Sequence, residues 1–274
     1  MRVYLDTSSI RKNSNVLINF KKGTVYTSVL AVFELLSGIK ESDFYKRKKI
    51  IKNLLESSIA IDWETYKKKE YNVFKYAYDD IEGYVIKQMA EKVIDCESYK
   101  EYTEIKIYTD DDTYYTHESL EDFDENISKV GKAFSLIEKN VWSKLSKEER
   151  KNFKKNMERD DMLLPYIQLL SEISLTDLAE DISGHKRPDE RYMNTIQKYD
   201  FSLDVYLKYS NLLFVLSKMN GSEYGKNDTI DVLHLVYLVE GDMFISEDNI
   251  FKKLNRYLQR LTIYNSKEYF EMES

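Results

Sequence analysis

Five acidic residues lie at strand ends or on otherwise apolar helices, positions where a carboxylate can take part in chemistry. Asp6 and Asp248 each follow a short apolar run, one at the start of the chain and one near its end. Glu34 interrupts an apolar helical stretch. Asp228 and Asp231 are three residues apart, so they share one face of a predicted helix near its N-terminus. These acids are the candidate functional residues of the chain.

A cluster of carboxylates is chemically suited to a hard divalent cation. Mg²⁺ and Mn²⁺ prefer oxygen ligands, and Mg²⁺ is usually held by one or two carboxylates together with waters and substrate phosphate. Carboxylates that converge without basic partners repel one another unless a cation lies among them. A metal ion held in this way lowers the pKa of a bound water and stabilises charge on a phosphate and its leaving oxygen. We therefore expect a Mg²⁺ or Mn²⁺ site if the fold brings the acids together.

The first sixty residues predict alternating strands and helices. Residues 2–5 are rich in β-branched and aromatic side chains, typical of a buried strand, and a polar turn leads from them into a helix. A second strand is predicted at 24–27, followed by a helix over 28–39 whose first residue, a serine, can cap it. A helix at 43–55 then leads to a strand at 58–61. This alternation is typical of a parallel α/β sheet.

The same alternation returns near the end of the chain. The sequence predicts a helix over 228–239, capped by Asn227, and a strand at 242–246. A helix at 248–260 follows, and the short apolar run 261–264 is a candidate for a last strand. Both ends of the chain are therefore expected to contribute strands to one sheet.

The chain thus divides into two ends that share a sheet and a long middle segment. We predict an α/β core, a parallel sheet flanked by helices, from residues 1–62 and 221–274. Residues 63–220 show mainly helical patterns and are expected to form a mostly helical insertion. The acidic, tyrosine-containing stretch 106–126 interrupts these patterns and predicts a hairpin or a mobile loop.

Four segments resemble the sequence motifs of PIN-domain nucleases and occur in the same order. They span residues 3–8, 27–38, 227–235 and 242–248. The first ends in Asp-Thr-Ser, as the opening strand of that family does, and the second has a Ser before its acidic helix and a Gly after it. The last resembles the closing strand, with Ser246 where Thr or Ser is common. The resemblance implies a PIN-like core and leaves the middle segment without a counterpart.

The resemblance also implies a metal-dependent nuclease and a role for each acid. The implied metal-binding and catalytic residues are Asp6, Glu34, Asp231 and Asp248, with Asp228 as a further ligand or a neighbour of the ligands. The implied supporting residues are Thr7, Ser8 and Ser246, with the hydroxyl of Thr7 or Ser8 bonded to an acid or a metal-bound water. The implied activity is Mg²⁺- or Mn²⁺-dependent hydrolysis of a phosphodiester, usually in RNA. We therefore expect an endoribonuclease with RNA as its partner.

Each acid also has a structural interpretation that the sequence leaves open. Asp6 and Asp248 stand where an N-cap residue is expected, and Glu34 fits the surface of an amphipathic helix. Asp228 fits a helix start favoured by the macrodipole. Glu247 can replace or assist its neighbour Asp248. The sequence does not choose between these roles.

Histidine and aromatic residues near these motifs are mostly expected in the core. His234 lies three residues after Asp231 among apolar neighbours, so a packed and hydrogen-bonded residue is favoured over a substrate contact. Trp63 and Trp142 are expected core anchors. Most of the 23 tyrosines are expected to serve packing rather than base stacking.

Charge is unevenly distributed along the chain, whose net charge is −7. Residues 1–70 carry a basic excess that includes the runs 46–49 and 67–69. We interpret these runs mainly as solvated helix faces rather than a phosphate-binding patch. Residues 71–200 carry an acidic excess that would repel nucleic acid. The insertion is therefore expected to confine the substrate, to bind a partner protein or to mediate self-association.

Composition limits the setting of the protein and its class of site. Cys96 is the only cysteine, which excludes an intramolecular disulfide and a cysteine-based zinc cluster. The first residues include an acid where a signal peptide would be apolar, and no stretch is long and apolar enough to cross a membrane. We expect a cytoplasmic protein without membrane association.

Two other functions share these features. A non-catalytic PIN-like scaffold would keep the fold without cleavage, although it has no need to retain mutually repelling acids. A structure-selective DNA nuclease would use the same metal chemistry, because attack by water on a phosphodiester does not require a 2′-hydroxyl. Only a cleavage assay on both nucleic acids separates RNA from DNA as the substrate.

Overall fold

A five-stranded parallel sheet forms the centre of the molecule. A computed structural model describes residues 1–17, 24–109, 113–125, 127, 144–220 and 226–273. The strands in these residues are β1 (Val3–Leu5), β2 (Val25–Ser28), β3 (Ala60–Asp62), β4 (Ile107–Tyr108), β5 (Tyr114–Tyr115), β6 (Met243–Ile245) and β7 (Thr262–Tyr264). Five of them pair in the order β3-β2-β1-β6-β7, and every neighbouring pair is parallel.

Both ends of the chain contribute to this sheet, as the sequence predicts. Val3 of β1 lies opposite Val25 of β2 on one side and opposite Met243 of β6 on the other. All three residues of β1 are buried, as expected for the central strand of a parallel sheet. The predicted α/β fold, a parallel sheet flanked by helices, is confirmed. The strand predicted at 58–61 begins two residues later than expected.

Helices connect the strands and pack around the sheet. They are α1 (Thr7–Asn13), α2 (Val29–Ser37), α3 (Phe44–Glu56), α4 (Tyr66–Asn72), α5 (Ile81–Val93), α6 (Tyr99–Thr103), α7 (Lys147–Met157), α8 (Asp160–Ser183), α9 (Glu190–Ile196), α10 (Asp204–Asn220), α11 (Lys226–Leu233), α12 (Asn249–Leu258) and α13 (Ser266–Glu273). Short 3₁₀ turns occupy Glu41–Asp43 and His234–Tyr237. Among the helices of the described residues, none has both the length and the apolar character needed to span a membrane.

The helix predicted over 228–239 is shorter than expected. The α-helix runs from Lys226 to Leu233, and the 3₁₀ turn His234–Tyr237 follows it. All four residues of this turn are buried, so packing on every side sets the backbone path there more strongly than helix propensity does. The side chain of the predicted cap, Asn227, lies outside the described residues. The C-terminal helix α13 has no counterpart in the prediction.

The helix α2 lies in the interior of the protein. Ser28 caps it as predicted, since its side chain accepts a hydrogen bond from the backbone N–H of Ala31 at 3.4 Å. Seven of its nine residues are buried, and it packs against α1, α3 and α5. Glu34 is only partly buried. This places the single carboxylate of α2 at an edge of the core.

The middle segment packs directly on the elements that bear the sheet. The helix α5 contacts α2, and α10 contacts α12 and the 3₁₀ turn before β6. Tyr102 donates a hydrogen bond to the backbone carbonyl of Leu36 at 3.2 Å. A continuous cluster of buried apolar side chains joins these elements in the described part of the chain. The boundaries at residues 62 and 221 stay predictions, and the helices on either side of them share one core.

The acidic stretch 106–126 is predicted to form a hairpin or a mobile loop, and a hairpin is present. β4 and β5 pair antiparallel and form a hairpin there. The acidic residues 110–112 between these strands lie outside the described residues, and so does Trp142. Trp63 is partly buried and packs against the hydrophobic core, which confirms its predicted role.

The basic run 67–69 is engaged in local contacts. Lys69 Nζ lies 2.6 Å from a carboxylate oxygen of Asp62 and 3.0 Å from one of Glu64. Lys67 pairs with Glu70 at 2.8 Å. Since these charges already have acidic partners, the contacts favour a helix-face role for this run over a phosphate-binding patch.

Candidate active-site cleft

A cleft opens where the carboxyl ends of β1 and β6 meet the helices α1, α2 and α11. Its volume is about 550 Å³. It is lined by Asp6, Thr7, Ser8, Arg11, Glu34, Asp228, Ile230, Asp231, His234 and Asp248. The five acids predicted from the sequence all line this cleft, although they come from four separate segments. The topology explains this, because β1 and β6 are parallel neighbours whose carboxyl ends lie at the same edge of the sheet.

Asp6 is both an N-cap and a cleft residue. Its Oδ1 accepts a hydrogen bond from the backbone N–H of Ser9 at 2.8 Å, which caps α1. The Ser8 hydroxyl lies 2.8 and 2.9 Å from the two carboxylate oxygens, and the Ser246 hydroxyl lies 2.5 Å from Oδ2. Burial raises the pKa of Asp6, and the nearby charge of His234 and these hydrogen bonds offset the rise only in part.

The hydroxyls of Ser8 and Ser246 also fix the loop that follows β6. Ser8 Oγ accepts a hydrogen bond from the backbone N–H of Glu247 at 3.0 Å. Ser246 Oγ accepts one from the backbone N–H of Asp248, also at 3.0 Å. Each hydroxyl therefore links Asp6 to this loop, and the hydrogen bond to an acid that the sequence predicts for Thr7 or Ser8 is present at Ser8.

A chain of polar contacts runs from the buried sheet to Glu34. The Tyr4 hydroxyl lies 2.6 Å from Ser28 Oγ and 2.6 Å from His234 Nδ1. On the other side of the ring, His234 Nε2 lies 2.9 Å from Glu34 Oε2. The same Glu34 oxygen accepts a hydrogen bond from the Thr7 hydroxyl. Both nitrogens of the imidazole are therefore engaged, and Glu34 is held from two directions.

His234 and Glu34 shift each other's pKa in opposite directions. Burial alone would lower the pKa of His234, but the hydrogen bond and charge of Glu34, with help from Asp6 and Asp231, raise it above the ordinary value. Burial would raise the pKa of Glu34, but the contacts from His234 and Thr7 outweigh it and lower that pKa. The prediction that His234 is packed and hydrogen-bonded is confirmed, since the residue is buried. It also forms part of the cleft wall.

The neighbours Glu247 and Asp248 face different surroundings. Glu247 Oε2 lies 2.5 Å from Lys12 Nζ, and its Oε1 accepts hydrogen bonds from the backbone N–H and the hydroxyl of Ser266 at 3.0 and 2.5 Å. Asp248 lines the cleft and caps α12 by accepting a hydrogen bond from the backbone N–H of Ile250 at 2.9 Å. The structure therefore places Asp248, and not Glu247, with the other candidate acids.

The acids share the cleft without converging on one point. In the residues that the structure describes, no three His, Cys, Asp or Glu side chains are grouped so that they hold one metal ion. Asp6 is bonded to hydroxyls and Glu34 to an imidazole and a hydroxyl. The carboxylate oxygens nevertheless form the donor set that Mg²⁺ and Mn²⁺ prefer. The chemistry of the donors thus fits the ion, and the metal centre itself stays a prediction.

Two residues of the site have no role in the sequence prediction. Arg11 lines the cleft, and the Tyr4 hydroxyl is hydrogen-bonded to Nδ1 of His234. Arg11 is four residues after Thr7, so the two share a face of α1, and this spacing is a signal that the sequence contains. Tyr4 carries no such signal, because an aromatic residue in a buried strand is ordinary core material.

Comparisons of this chain with protein-family models, with curated proteins and with solved structures each found no match. The resemblance to PIN domains therefore rests on the four sequence segments alone.

Asp231→Asn is expected to stabilise the metal-free protein at high pH. Burial, reinforced by the charges of Asp248, Glu34 and Asp6 against the opposing charge of His234, raises the pKa of Asp231 to about 7. The folded state therefore keeps a proton that the unfolded state loses near the ordinary value of 3.8. The wild type loses stability as the pH rises between these two values. In urea unfolding with chelator, we expect a gain of about 1 kcal/mol at pH 8 and much less at pH 4.

Glu247→Gln is the matched control for this measurement. Burial opposes the shift, but contacts with Lys12 and Ser266 lower the pKa of Glu247. A lowered pKa stabilises the folded state above the ordinary value, so this variant is expected to lose stability at pH 8. Stability changes of the same sign in both variants would contradict burial, reinforced by repulsion within the cleft, as the cause of the raised pKa of Asp231.

Proposed function

We propose that this protein is a metal-dependent nuclease with a PIN-like core and that it hydrolyses phosphodiester bonds in RNA. One observation carries the proposal: five predicted acids from four segments line a single cleft at the carboxyl edge of a parallel sheet. Ligand sites of open α/β sheets lie at this edge. The charges of neighbouring acids raise the pKa of Asp231, and such repulsion destabilises a fold unless a cation lies among the acids, so their shared position favours a metal site over a purely structural role.

The acids of the cleft would hold Mg²⁺ or Mn²⁺. Asp6, Glu34, Asp231 and Asp248 are the proposed ligands, with Asp228 as a further ligand or a neighbour of them. When bound, such an ion supplies an activated water and stabilises negative charge on the phosphate and on its leaving oxygen. The oxygen-only donor set supports this assignment over a softer metal.

Neighbouring side chains orient the proposed ligands before any ion binds. Thr7 and His234 hold Glu34 from two sides, and Ser8 and Ser246 hold Asp6. Loss of such supporting hydrogen bonds commonly lowers metal affinity or activity about 10- to 100-fold. The supporting residues therefore belong to the proposed machinery, although they do not touch the substrate.

The direct test is cleavage of labelled single-stranded RNA and DNA of matched sequence by the full chain. Each strand is incubated with Mn²⁺, with Mg²⁺ or with chelator. We expect RNA cleavage that requires the added ion and stops with chelator. Thermal unfolding is measured in parallel, because an ion at about 100 times its dissociation constant stabilises the folded state by about 2.7 kcal/mol.

The outcomes separate the candidate functions. Preferential cleavage of DNA would assign the same chemistry to a DNA nuclease. Stabilisation by metal without cleavage would retain the metal site and reject both nucleic acids as substrates. If the protein shows neither metal-induced stabilisation nor cleavage, the nuclease proposal fails and a PIN-like scaffold becomes the better interpretation.

A further inference from the structure

Two guanidinium groups converge on one backbone oxygen beside the cleft. Arg11 Nη2 donates a hydrogen bond to the carbonyl oxygen of Glu34 at 3.0 Å. Arg47 Nη1 donates to the same oxygen at 3.4 Å. Two positive side chains therefore lie together at the end of α2. Partial burial of the guanidinium, and after it the neighbouring charge of Arg47, lower the pKa of Arg11, while the charge of Glu34 opposes this shift.

The two arginines differ in their other partners. Arg47 is mostly buried and forms an ion pair with Asp43, with Nε 3.3 Å from Oδ2. Arg11 is exposed and lines the cleft. Across the described ranges of the chain, its guanidinium forms an ion pair with no carboxylate. A guanidinium carries five N–H donors, so Arg11 keeps donors available toward the cleft.

The hydrogen bond from Arg11 to the Glu34 carbonyl does not require the positive charge of Arg11. The Glu34 carbonyl is among the last four of α2, and such carbonyls lack a partner within the helix. Arg47 already donates a hydrogen bond to this oxygen, so a positive charge would stabilise the C-terminal end of α2 even in the absence of Arg11. An exposed arginine beside five acids, bonded to a neutral carbonyl, is better explained by an anion that it binds. The planar fork of arginine matches the oxygens of a phosphate.

We propose that Arg11, reinforced by Arg47, binds a backbone phosphate of the RNA strand on the α1 side of the cleft. This inference rests on the proposed nuclease function and adds a substrate-binding residue to it. Phosphate contacts position a strand without reading its sequence. Arg11 therefore sets affinity and register, and the acids act on the neighbouring phosphodiester.

The test is binding of fluorescein-labelled single-stranded RNA, measured by anisotropy over a series of KCl concentrations with Mg²⁺ present. The parent protein is the full-length Asp231→Asn variant, so that the RNA stays intact. Adding Arg11→Ala is expected to weaken binding about tenfold and to reduce the salt slope by about 0.7. Arg11→Lys is expected to restore the slope and part of the affinity, because it keeps the charge without the fork.

Lys12→Ala is the matched control. Lys12 is the next residue of α1, but it contacts Glu247 outside the cleft. Lys12→Ala should leave the affinity for RNA and the salt slope of binding unchanged. Arg11→Gln provides a second variant that removes the charge and keeps a hydrogen-bond donor for the Glu34 carbonyl, should Arg11→Ala fail to fold. Arg11→Ala is expected to weaken binding of a DNA strand of matched sequence by the same factor, because a phosphate contact does not depend on the sugar.

The results distinguish this inference from the proposed function. Equal RNA affinity and equal salt slope for the Arg11→Ala and Lys12→Ala variants would overturn the phosphate contact by Arg11. An absence of RNA binding by the parent protein would also overturn it. If the wild type binds RNA in an Arg11-dependent way but never cleaves it, the phosphate contact stands and the nuclease proposal fails. If the wild type cleaves RNA and Arg11→Ala retains its KM, only the phosphate contact fails.

Discussion

Asp248→Asn is expected to lower the rate of RNA cleavage by at least about 100-fold, while Glu247→Gln leaves it within about twofold of the wild type. The two acids are adjacent in the loop after β6, but of these two only Asp248 lines the cleft. Glu247 is bonded to Lys12 and Ser266. Both substitutions remove one negative charge, but only the charge of Asp248 would hold the ion. Comparing the two variants therefore tests whether the location of the carboxylate, and not the loss of a charge as such, determines the rate.

The asparagine substitution keeps the structural role of Asp248. The Asp248 side chain caps α12, and asparagine is as good an N-cap as aspartate. The free energy of unfolding is therefore expected to change by less than about 0.5 kcal/mol. Single-turnover cleavage with saturating Mn²⁺ or Mg²⁺ gives the rate. If Asp248→Asn cleaves as fast as Glu247→Gln, Asp248 is not one of the catalytic acids.

Asp6→Asn would test the same idea less cleanly. The Asp6 carboxylate accepts hydrogen bonds from the backbone N–H of Ser9 and from the hydroxyls of Ser8 and Ser246. The side-chain amide of asparagine would point its N–H groups at some of these hydrogen-bond donors. The unpaired donors would be buried, which would destabilise the fold. Loss of activity in that variant would not distinguish a lost ligand from a disturbed site.

His234→Ala is expected to lower the free energy of unfolding by about 3 kcal/mol. The imidazole lies between the fully buried Tyr4 hydroxyl and Glu34, at 2.6 and 2.9 Å. Truncation leaves a cavity and removes a hydrogen-bond partner from each of these groups. Urea unfolding of both proteins measures the difference.

The pH dependence of this loss has a definite sign. The pKa of His234 is raised because the hydrogen bond and charge of Glu34 outweigh burial. The stabilisation is therefore complete below the ordinary value of 6.5 and declines as the pH rises through the raised value. The difference between wild type and His234→Ala should be larger at pH 6 than at pH 9.

His185→Ala is the matched control for this prediction. His185 lies after α8 with a partly exposed side chain, so its removal is expected to change stability by less than about 0.5 kcal/mol. Tyr4→Phe, combined with His234→Ala in a double-mutant cycle, should show a coupling of about 0.5–3 kcal/mol. Equal losses in the two histidine variants, or independent effects of Tyr4 and His234, would reject the polar chain as a stabilising unit.

The elements near the acids were predictable because their signals are local. β1, β2, β6 and β7 lie within one residue of their predicted bounds, since short β-branched and aromatic runs mark buried strands. Ser28 and Asp248 cap their helices as their types and positions indicate. The helix predicted to residue 239 was too long, because burial on all sides favours a tighter turn there and no local pattern records it.

The sequence by itself determined which acids are candidates and that both ends of the chain build one sheet. Only the tertiary structure decided which of Glu247 and Asp248 faces the cleft, that Tyr4 and His234 hold Glu34, and that Arg11 lies beside the acids. The physical reason is that strand and cap signals depend on neighbours in sequence. The cleft depends on the pairing of β1 with β6, which joins residues about 240 positions apart. For Tyr4, His234 and Asp248, the direction of the side chain follows from packing across that distance and leaves no periodic trace in the sequence.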